Sequence, residues 1–250
     1  MAVLGIDIGG SGIKGAPVDV KTGAFLEDRI RIPTPTPGSP DQVIEVIRRI
    51  VKHFDWQGKI GAGFPGVVRR GVVETAANVS KEWVGTDLAA LIKESTGCKA
   101  VVLNDADAAG LAEMRFGEGK RYDQDNVLFL TIGTGIGSAF FANGQLWPNT
   151  ELGHLQVRGK DAEHRAGDGV RKDNDLSWKS WGKRLKEVLK IYDFLFNPDV
   201  IILGGGVSKK FKKYRKYLKG INAKVIPAEL LNQAGIVGAA MAAKESIIID

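Results

Sequence analysis

Leu4-Gly5-Ile6-Asp7-Ile8-Gly9-Gly10-Ser11-Gly12 is an apolar run that stops at an acid and a knot of glycines. An apolar run of this length bounded by glycine reads as a buried strand feeding a tight turn. Leu130-Thr131-Ile132-Gly133-Thr134-Gly135-Ile136-Gly137 repeats the device in the second half of the chain, and each stretch continues into a further β-like run. The repeat is a weak internal duplication and predicts two related lobes with a cleft between them.

Outward from these two stretches, strands and helices alternate. Residues 15–20 and 25–32 read as extended, with a Thr22-Gly23 turn between them, and residues 33–40 as a stiff surface connection. A helix then opens on Ser39 as N-cap, Pro40 at its first position and Gln42 completing a capping box. Val43, Ile47, Ile50, Val51 and Phe54 follow helical spacing. Strands are expected at residues 59–64, 100–103, 126–132, 136–142, 200–203 and 224–226. Helices are expected at 88–94, 106–116, from about 177, 208–218 and 233–244, while 149–175 lacks periodicity and reads as a functional loop region. Alternation of this kind implies layered α/β architecture.

Composition narrows the class. Of 250 residues 44% are hydrophobic and 26% charged, which fits a folded globular chain and excludes a disordered one. No apolar run approaches the ~18 residues of a membrane span. The opening MAVLGIDIGG has neither a basic leader nor a cleavage site, so a cytoplasmic protein with no membrane partner is expected. A single cysteine, Cys98, excludes an intrachain disulfide and a cysteine-rich zinc site. Glycine, at 32 residues, is nearly twice as common as the usual ~7% and clusters after apolar runs instead of forming linkers. A net charge of +6 favours anionic partners, although surplus lysine also serves solubility.

The turn after the first strand can carry chemistry. Backbone N–H groups of glycines approach a phosphate closely, and Ser11 and Lys14 add a hydroxyl and a cation. Asp7 is compatible with a phosphate when a magnesium ion, reached through water, lies between them. A plain β-hairpin is the alternative. The 131–137 loop offers threonine hydroxyls in the same pattern, or is an ordinary glycine hairpin; two facing loops of this kind would clamp one phosphate chain. Asn104-Asp105 falls where a strand meets a helix, so Asp105 is either a proton acceptor held ionised by the helix dipole or simply an N-cap. Glu151, His154 and Glu163 supply acceptors and a ring donor suited to sugar hydroxyls. The same three invite a metal, but their spacing matches no helical zinc motif. His53 and His164 read as structural histidines.

Taken in order, Asp7 to Gly15, Gly63-Phe64-Pro65-Gly66, Leu103-Asn104-Asp105-Ala106, Thr131 to Gly137, Glu151-Leu152-Gly153-His154 and Gly204-Gly205-Gly206 resemble the ROK sugar kinases over nearly the whole chain. Pro148 to His154, Asp161 to Ala166, Leu176-Ser177-Trp178 and Phe194 to Asp199 resemble the polyphosphate glucokinase subgroup in particular. The resemblance implies an actin-like ATPase (ribonuclease H-like) fold. Its small N-terminal lobe would comprise residues 1–105 with about 233–250, and its large C-terminal lobe 106–232. It departs from many ROK proteins in lacking the CxCGxxGC zinc motif after the histidine, so no structural zinc is expected. No helix-turn-helix precedes the first strand, so nucleic acid is not an expected partner.

The activity implied is transfer of a phosphoryl group from polyphosphate, ATP or both to the 6-hydroxyl of glucose. Asp105 would be the general base. Gly63, Pro65, Asn78, Asn104, Asp105, Glu151, His154 and Glu163 would hold the sugar. Asp7, Gly9, Gly10, Ser11, Lys14, Thr131, Gly133, Thr134, Gly135, Gly204 and Gly205 would hold phosphates, with Mg2+ near Asp7. Positioning and charge neutralisation should supply most of the rate, and lobe closure should exclude water. A homodimer is implied as well. The competing expectation is a non-catalytic sugar sensor or polyanion-binding protein of the same fold. Finally, Lys209, Lys210, Lys212, Lys213, Arg215, Lys216 and Lys219 are seven cations with no acid among them. They are either a solvated surface or a track for polyphosphate.

Overall fold

The computed structural model describes residues 1–245; the last five positions of the N-terminal lobe expected from sequence, 246–250, lie outside the described residues. In chain order the strands and helices are β1 (Ala2–Gly9), β2 (Gly12–Asp19), β3 (Ala24–Phe25), β4 (Ile30–Ile32), α1 (Pro40–His53), β5 (Ile60–Phe64), β6 (Val68–Arg69), β7 (Val72–Val73), α2 (Leu88–Thr96), β8 (Ala100–Asn104) and α3 (Asp105–Phe116). They continue as β9 (Val127–Ile132), β10 (Ile136–Ala142), β11 (Gln145–Trp147), β12 (Gln156–Val157), β13 (Lys160–Asp161), α4 (Ala162–Ala166), α5 (Asp168–Asp173), α6 (Trp178–Phe196), β14 (Val200–Gly204), α7 (Phe211–Tyr214), β15 (Lys224–Pro227) and α8 (Ala234–Glu245). Two compact units result, one of Met1–Ala112 with the segment from Gln233, the other of Glu113–Asn232.

The first unit is built on a sheet of order β3-β2-β1-β5-β8, with β4 also on β2. β1 and β2 form an antiparallel hairpin in which Asp7 faces Lys14 and Gly9 faces Gly12; β1, β5 and β8 run parallel. Side chains of a strand alternate between faces, and here the alternation is between bulk and its absence. Leu4, Ile6 and Ile8 of β1, with Ile60, Ala62 and Phe64 of β5, pack with Val43, Val46, Ile47 and Ile50 of α1. The intervening Gly5 and Gly61 turn to the opposite face, where the backbone of α8 lies directly on them, at Ile236 and Ala239. Gly238 of α8 lies equally close to the Ala108 carbonyl of α3. Leu103, Ala108, Ala239 and Ala242 complete that face. The α1 capping box is present, the Gln42 side chain accepting from the N–H of Ser39 at 3.1 Å.

The second unit has a sheet of order β11-β10-β9-β14-β15. β9 and β10 are an antiparallel hairpin, and β9, β14 and β15 run parallel. Leu128, Leu130, Ile132, Ile201 and Leu203 pack with Trp181, Leu185, Val188, Leu189 and Tyr192 of α6. Three consecutive antiparallel strands followed by two parallel ones is the order of the first sheet too, so the duplication read from the two glycine stretches is one of topology.

Three expectations need correction. The 25–32 run is two short strands, because Glu27, Asp28 and Arg29 between them are exposed. Residues 149–175 contain the β12–β13 hairpin and the short helices α4 and α5; elements of two to six residues are too brief to set a period. The basic segment 208–218 is not one helix: α7 spans four residues between two single turns of 3₁₀-helix, Ser208–Lys210 and Arg215–Tyr217. Lys209 and Lys213, like Lys212 and Lys216, are i,i+4 pairs of like charge, which disfavour a continuous helix.

Candidate functional site

In the first unit the candidate groups gather at the C-terminal ends of the parallel strands, where open α/β sheets place their ligands. The register sets Asp7 beside Gly63, and Phe64 beside Asn104. Gly63 lies close against the backbone of Asp105. The β1–β2 turn exposes Gly10 and Ser11 and is braced from behind: Arg31 Nη2 donates to the Ser11 carbonyl at 2.7 Å, and the Thr34 hydroxyl donates to the Gly9 carbonyl. Lys14 Nζ donates to Asp7 Oδ2 at 2.8 Å. The turn is therefore a hairpin with a partly buried ion pair at its base, and its tip presents backbone to solvent. Asn78, at φ 61°, adopts the left-handed conformation that asparagine tolerates. A Cβ on Gly10 would lie 2.7 Å from that of Asn78, so glycine is needed for the two segments to meet. Pro65 accepts at its carbonyl from Ala77 N–H at 2.9 Å, tying the end of β5 to the chain just before Asn78.

At the strand-to-helix junction the cap hydrogen bonds go to Asn104. Asn104 is 4% exposed, and its Oδ1 accepts from Ala106 N–H at 2.8 Å and Asp107 N–H at 3.1 Å. Asn104 is thus the cap of α3, and its Nδ2 donates to the Gly66 carbonyl at 3.1 Å. Asp105 is the first helical residue and half-buried, on the turn where the macrodipole favours a carboxylate.

Sequence reasoning passed over Gly235. The Asp7 carboxylate lies 3.0–3.3 Å from the point a Cβ on Gly235 would occupy, in the first turn of α8. The helix N-terminus and Lys14 favour negative charge here, that of Asp7 and of a phosphate; the Asp7 carboxylate is the group that could hold Mg2+ through water, since Mg2+ keeps several waters and takes one or two carboxylates plus phosphate oxygens. Gly235 sits in a helix with no motif around it, and only the fold brings it to Asp7.

In the second unit Thr131 faces Gly137 across the hairpin and Gly204 across the parallel pair, which sets the 131–137 loop beside the Gly204–Gly206 loop. Gly133, Thr134 and Gly206 are exposed. Gly205, at φ 74°, turns the chain directly over the Ile132 backbone. Gly169 N–H donates to the Gly133 carbonyl at 3.1 Å, so the start of α5 supports the loop.

The same unit brings Glu151, His154 and Glu163 together. Glu163 Oε2 accepts from Ile136 N–H at 3.3 Å, and Gly153 packs on the Ile136 carbonyl. Tyr192 OH donates to the Leu152 carbonyl at 2.6 Å and pins the turn that carries Glu151 and His154. His154 Nε2 is 3.8 Å from Glu151 Oε2, while Nδ1 lies 3.0 Å from Asp161 Oδ2. Partial burial raises the Glu151 carboxyl above the usual range. The hydrogen bond to Asp161 raises the His154 imidazole, and the same bond lowers Asp161. Asp161, braced by Gln156 across the β12–β13 hairpin, opens the Asp161–Ala166 stretch quoted from the sequence but was given no site role there; its signal was a carboxylate two residues before Glu163. His154, Asp161 and Glu163 offer ligand atoms within 4.8 Å of one another, a spacing that would also admit a cation. His164 is exposed, 3.8 Å from Glu163 Oε1.

The chain as a whole is matched by known proteins. The ROK family model covers residues 3–175. The chain belongs to the ROK family. It is 50% identical over 240 residues to the polyphosphate glucokinase of Mycobacterium tuberculosis (strain CDC 1551 / Oshkosh), spanning 96% of this chain and 90% of that one. Among solved structures it resembles the inorganic polyphosphate/ATP-glucomannokinase of Arthrobacter sp. strain KM, with a TM-score of 0.93 and 43% identity over 98% of this chain and 99% of the other. It also resembles a ROK family glucokinase from Streptomyces griseus in complex with glucose and AMPPNP, with a TM-score of 0.83 and 25% identity over 98% and 100% of the two chains. The fold is that of the ROK sugar kinases, an actin-like ATPase fold of two α/β lobes.

Proposed function

We propose that this ROK protein is a glucokinase that phosphorylates the 6-hydroxyl of glucose from inorganic polyphosphate, ATP or both. The observation that carries the reading is the Asn104–Asp105 junction: with the cap supplied by Asn104, the Asp105 carboxylate stands at a helix N-terminus as a proton acceptor. The 50% identity to a polyphosphate glucokinase supports glucose as acceptor and polyphosphate as donor.

In the reaction, Asp105 takes the proton of the 6-hydroxyl as its oxygen bonds to the terminal phosphorus. The bond to the bridging oxygen breaks, leaving ADP or a polyphosphate one unit shorter. Glu151, His154 and Glu163 accept and donate hydrogen bonds to the ring hydroxyls, with Asn78, Gly63 and Pro65 completing the sugar contacts. Asn104 acts as a positioning residue, holding the first turn of α3 and with it Asp105. Gly9, Gly10, Thr131, Gly133, Thr134, Gly135, Gly204 and Gly205, with Ser11 and Lys14, hold the phosphates. Positioned donors of this kind carry most of the catalysis in phosphoryl transfer. Asp7 would hold Mg2+ through water, and the ion would neutralise charge on the donor phosphates. The reading places the reaction in the cytoplasm and extends, by family resemblance, to a homodimer; no helix among the described residues is long and apolar enough to cross a membrane.

Glucose 6-phosphate formation, assayed with ATP and with long polyphosphate in the presence of Mg2+, tests the reading. Glucose binding without product from either donor would identify a sugar sensor instead.

A further inference from the structure

The whole positive surplus of the chain sits in one surface segment. The net charge is +6, and residues 209–219 alone contribute seven cations, so the remainder is slightly acidic, at −1. A charge excess that served only solubility would be dispersed. All seven side chains are exposed, and among the described residues none of them forms an ion pair. Seven uncompensated like charges along eleven consecutive residues repel their near neighbours, and that repulsion is relieved when a polyanion binds.

The segment is held in place from below. Tyr214 is buried and stacks on Trp178 with centroids 5.7 Å apart and an interplanar angle of 17°, and its ring also meets Trp181 edge-on at 4.9 Å. Leu218 is buried beside it. The far end is anchored by Asp193, whose carboxylate accepts from Asn222 N–H at 2.8 Å and Ala223 N–H at 2.9 Å. The near end leaves the Gly204–Gly206 loop directly. A second connection runs through Trp178: the Arg171 guanidinium lies 4.3 Å from its ring centroid, and Lys213 Nζ 6.0 Å. Arg171 belongs to α5, whose Gly169 supports the 131–137 loop. Arg171 is itself paired with Asp168 Oδ1 at 2.6 Å, so the two candidate phosphate loops of this unit join the 209–219 surface by chain continuity and by the Arg171–Trp178–Lys213 contact.

We propose that this surface is a binding track for the distal part of a long linear polyphosphate, the units beyond those that the glycine loops hold. The inference rests on the reading of those loops as the donor phosphate site. Its chemistry favours phosphate without bases. Stacking of nucleobases needs an open aromatic face, whereas Tyr214 is buried, the Trp178 ring is occupied by Arg171 and Tyr214, Lys216 Nζ lies 5.2 Å from the half-buried Tyr217 ring, and the half-buried Phe211 meets Tyr214 edge-on. Six of the seven cations are lysines, flexible point charges that can follow a mobile chain, where bidentate arginine would demand fixed geometry. ATP, with three phosphates, has no use for the track.

Lys212, Lys213 and Lys216 replaced together by Ser test it, beside a control in which Lys179, Lys183 and Lys190 of α6 are replaced instead. Binding of fluorescently labelled long polyphosphate is read by anisotropy across a salt series, and KM is measured for long polyphosphate, tripolyphosphate and ATP. The track variant is expected to bind long polyphosphate about tenfold more weakly, with its log K against log[salt] slope reduced by about 2, as loss of three phosphate contacts implies. Its KM for long polyphosphate rises in step, while tripolyphosphate and ATP move less than about twofold, and the control stays near wild type. Equal losses with all donors, equal losses in the control, or unchanged anisotropy would overturn the track. Equally tight binding of a single-stranded oligonucleotide would reassign the surface to nucleic acid. Tight, track-dependent polyphosphate binding without glucose 6-phosphate formation would instead sink the donor reading and leave the track standing.

Discussion

Asp105 stands one residue past the cap of α3, and that offset separates two roles that the sequence leaves superimposed. Because Asn104 holds the Ala106 and Asp107 amides, Asp105→Asn removes a proton acceptor and leaves the helix capped. We expect kcat to fall at least ~10²-fold, the scale of general-base catalysis, with glucose still bound and the melting temperature unchanged; near wild-type kcat would reduce Asp105 to a surface helical residue. A second prediction concerns His154. Asp161 raises its pKa, so the stabilisation is full below about 6.5, the ordinary imidazole value, and is lost as pH rises through the raised value. Asp161, whose own pKa is lowered, contributes above about 3.8 and loses that contribution as pH falls through its lowered value. The melting-temperature gap between wild type and Asp161→Asn should therefore be wider at pH 6 than at pH 9. A pH-independent gap would break the assignment. Asp105, Glu151 and His154 stood out in the sequence as candidates because each is a polar group beside apolar or glycine residues, and Glu163 because it lies twelve residues on from Glu151. Asp161, Arg31 and Thr34 did not, because their partners are backbone or side-chain atoms that only the fold brings near.

At the scale of elements, the alternation Leu4-Gly5-Ile6 in β1 and Ile60-Gly61-Ala62 in β5 carries more information than its apolar character. A period-2 strand with glycine on one face lets a helix lie directly on the sheet, and α8 does so at both glycines and presents its own Gly238 to α3. Gly238→Ala would drive a methyl group into the Ala108 carbonyl. The expected cost is about 3 kcal/mol or more, in the upper range of overpacking, and the melting temperature should fall by roughly 6–12 °C for a chain of this size. Gly206→Ala, where a Cβ meets nothing within 4 Å, is the matched control and should leave stability near wild type. A Gly238→Ala variant as stable as that control would mean that α8 can shift at little cost. The strand and helix sequence was largely legible because long elements show their period. The failures share one cause: β3, β4, β12, β13 and α7 are too short for a period, and tertiary contacts, such as Tyr214 on Trp178, decide their conformation.

At the scale of the molecule, the duplicated hairpin that opens each half was legible because both halves carry an apolar run that ends in closely spaced glycines, at Asp7 to Gly12 and at Thr131 to Gly137. The identical strand order of the two sheets was not, since it depends on which distant strand pairs with β1 and with β9. The reading as a glucokinase gives the second unit sugar acceptors, Glu151 and Glu163. Glucose that binds only the folded chain stabilises it by RT ln(1 + [L]/Kd), about 2.7 kcal/mol at a hundredfold excess over Kd. For a chain of this length that corresponds to an upward shift of roughly 5–10 °C in melting temperature. Glu151→Gln leaves shape intact but turns an acceptor into a partial donor, with a cost of roughly 1–3 kcal/mol for an unpaired group. At the same glucose concentration it should lose most of that shift while its unliganded melting temperature stays near wild type. Differential scanning fluorimetry with glucose and with a non-binding polyol separates the outcomes. A full glucose shift in Glu151→Gln would remove the second unit's acid–histidine turn from the sugar site. A lowered unliganded temperature would show that Glu151 supports the fold in place of the ligand.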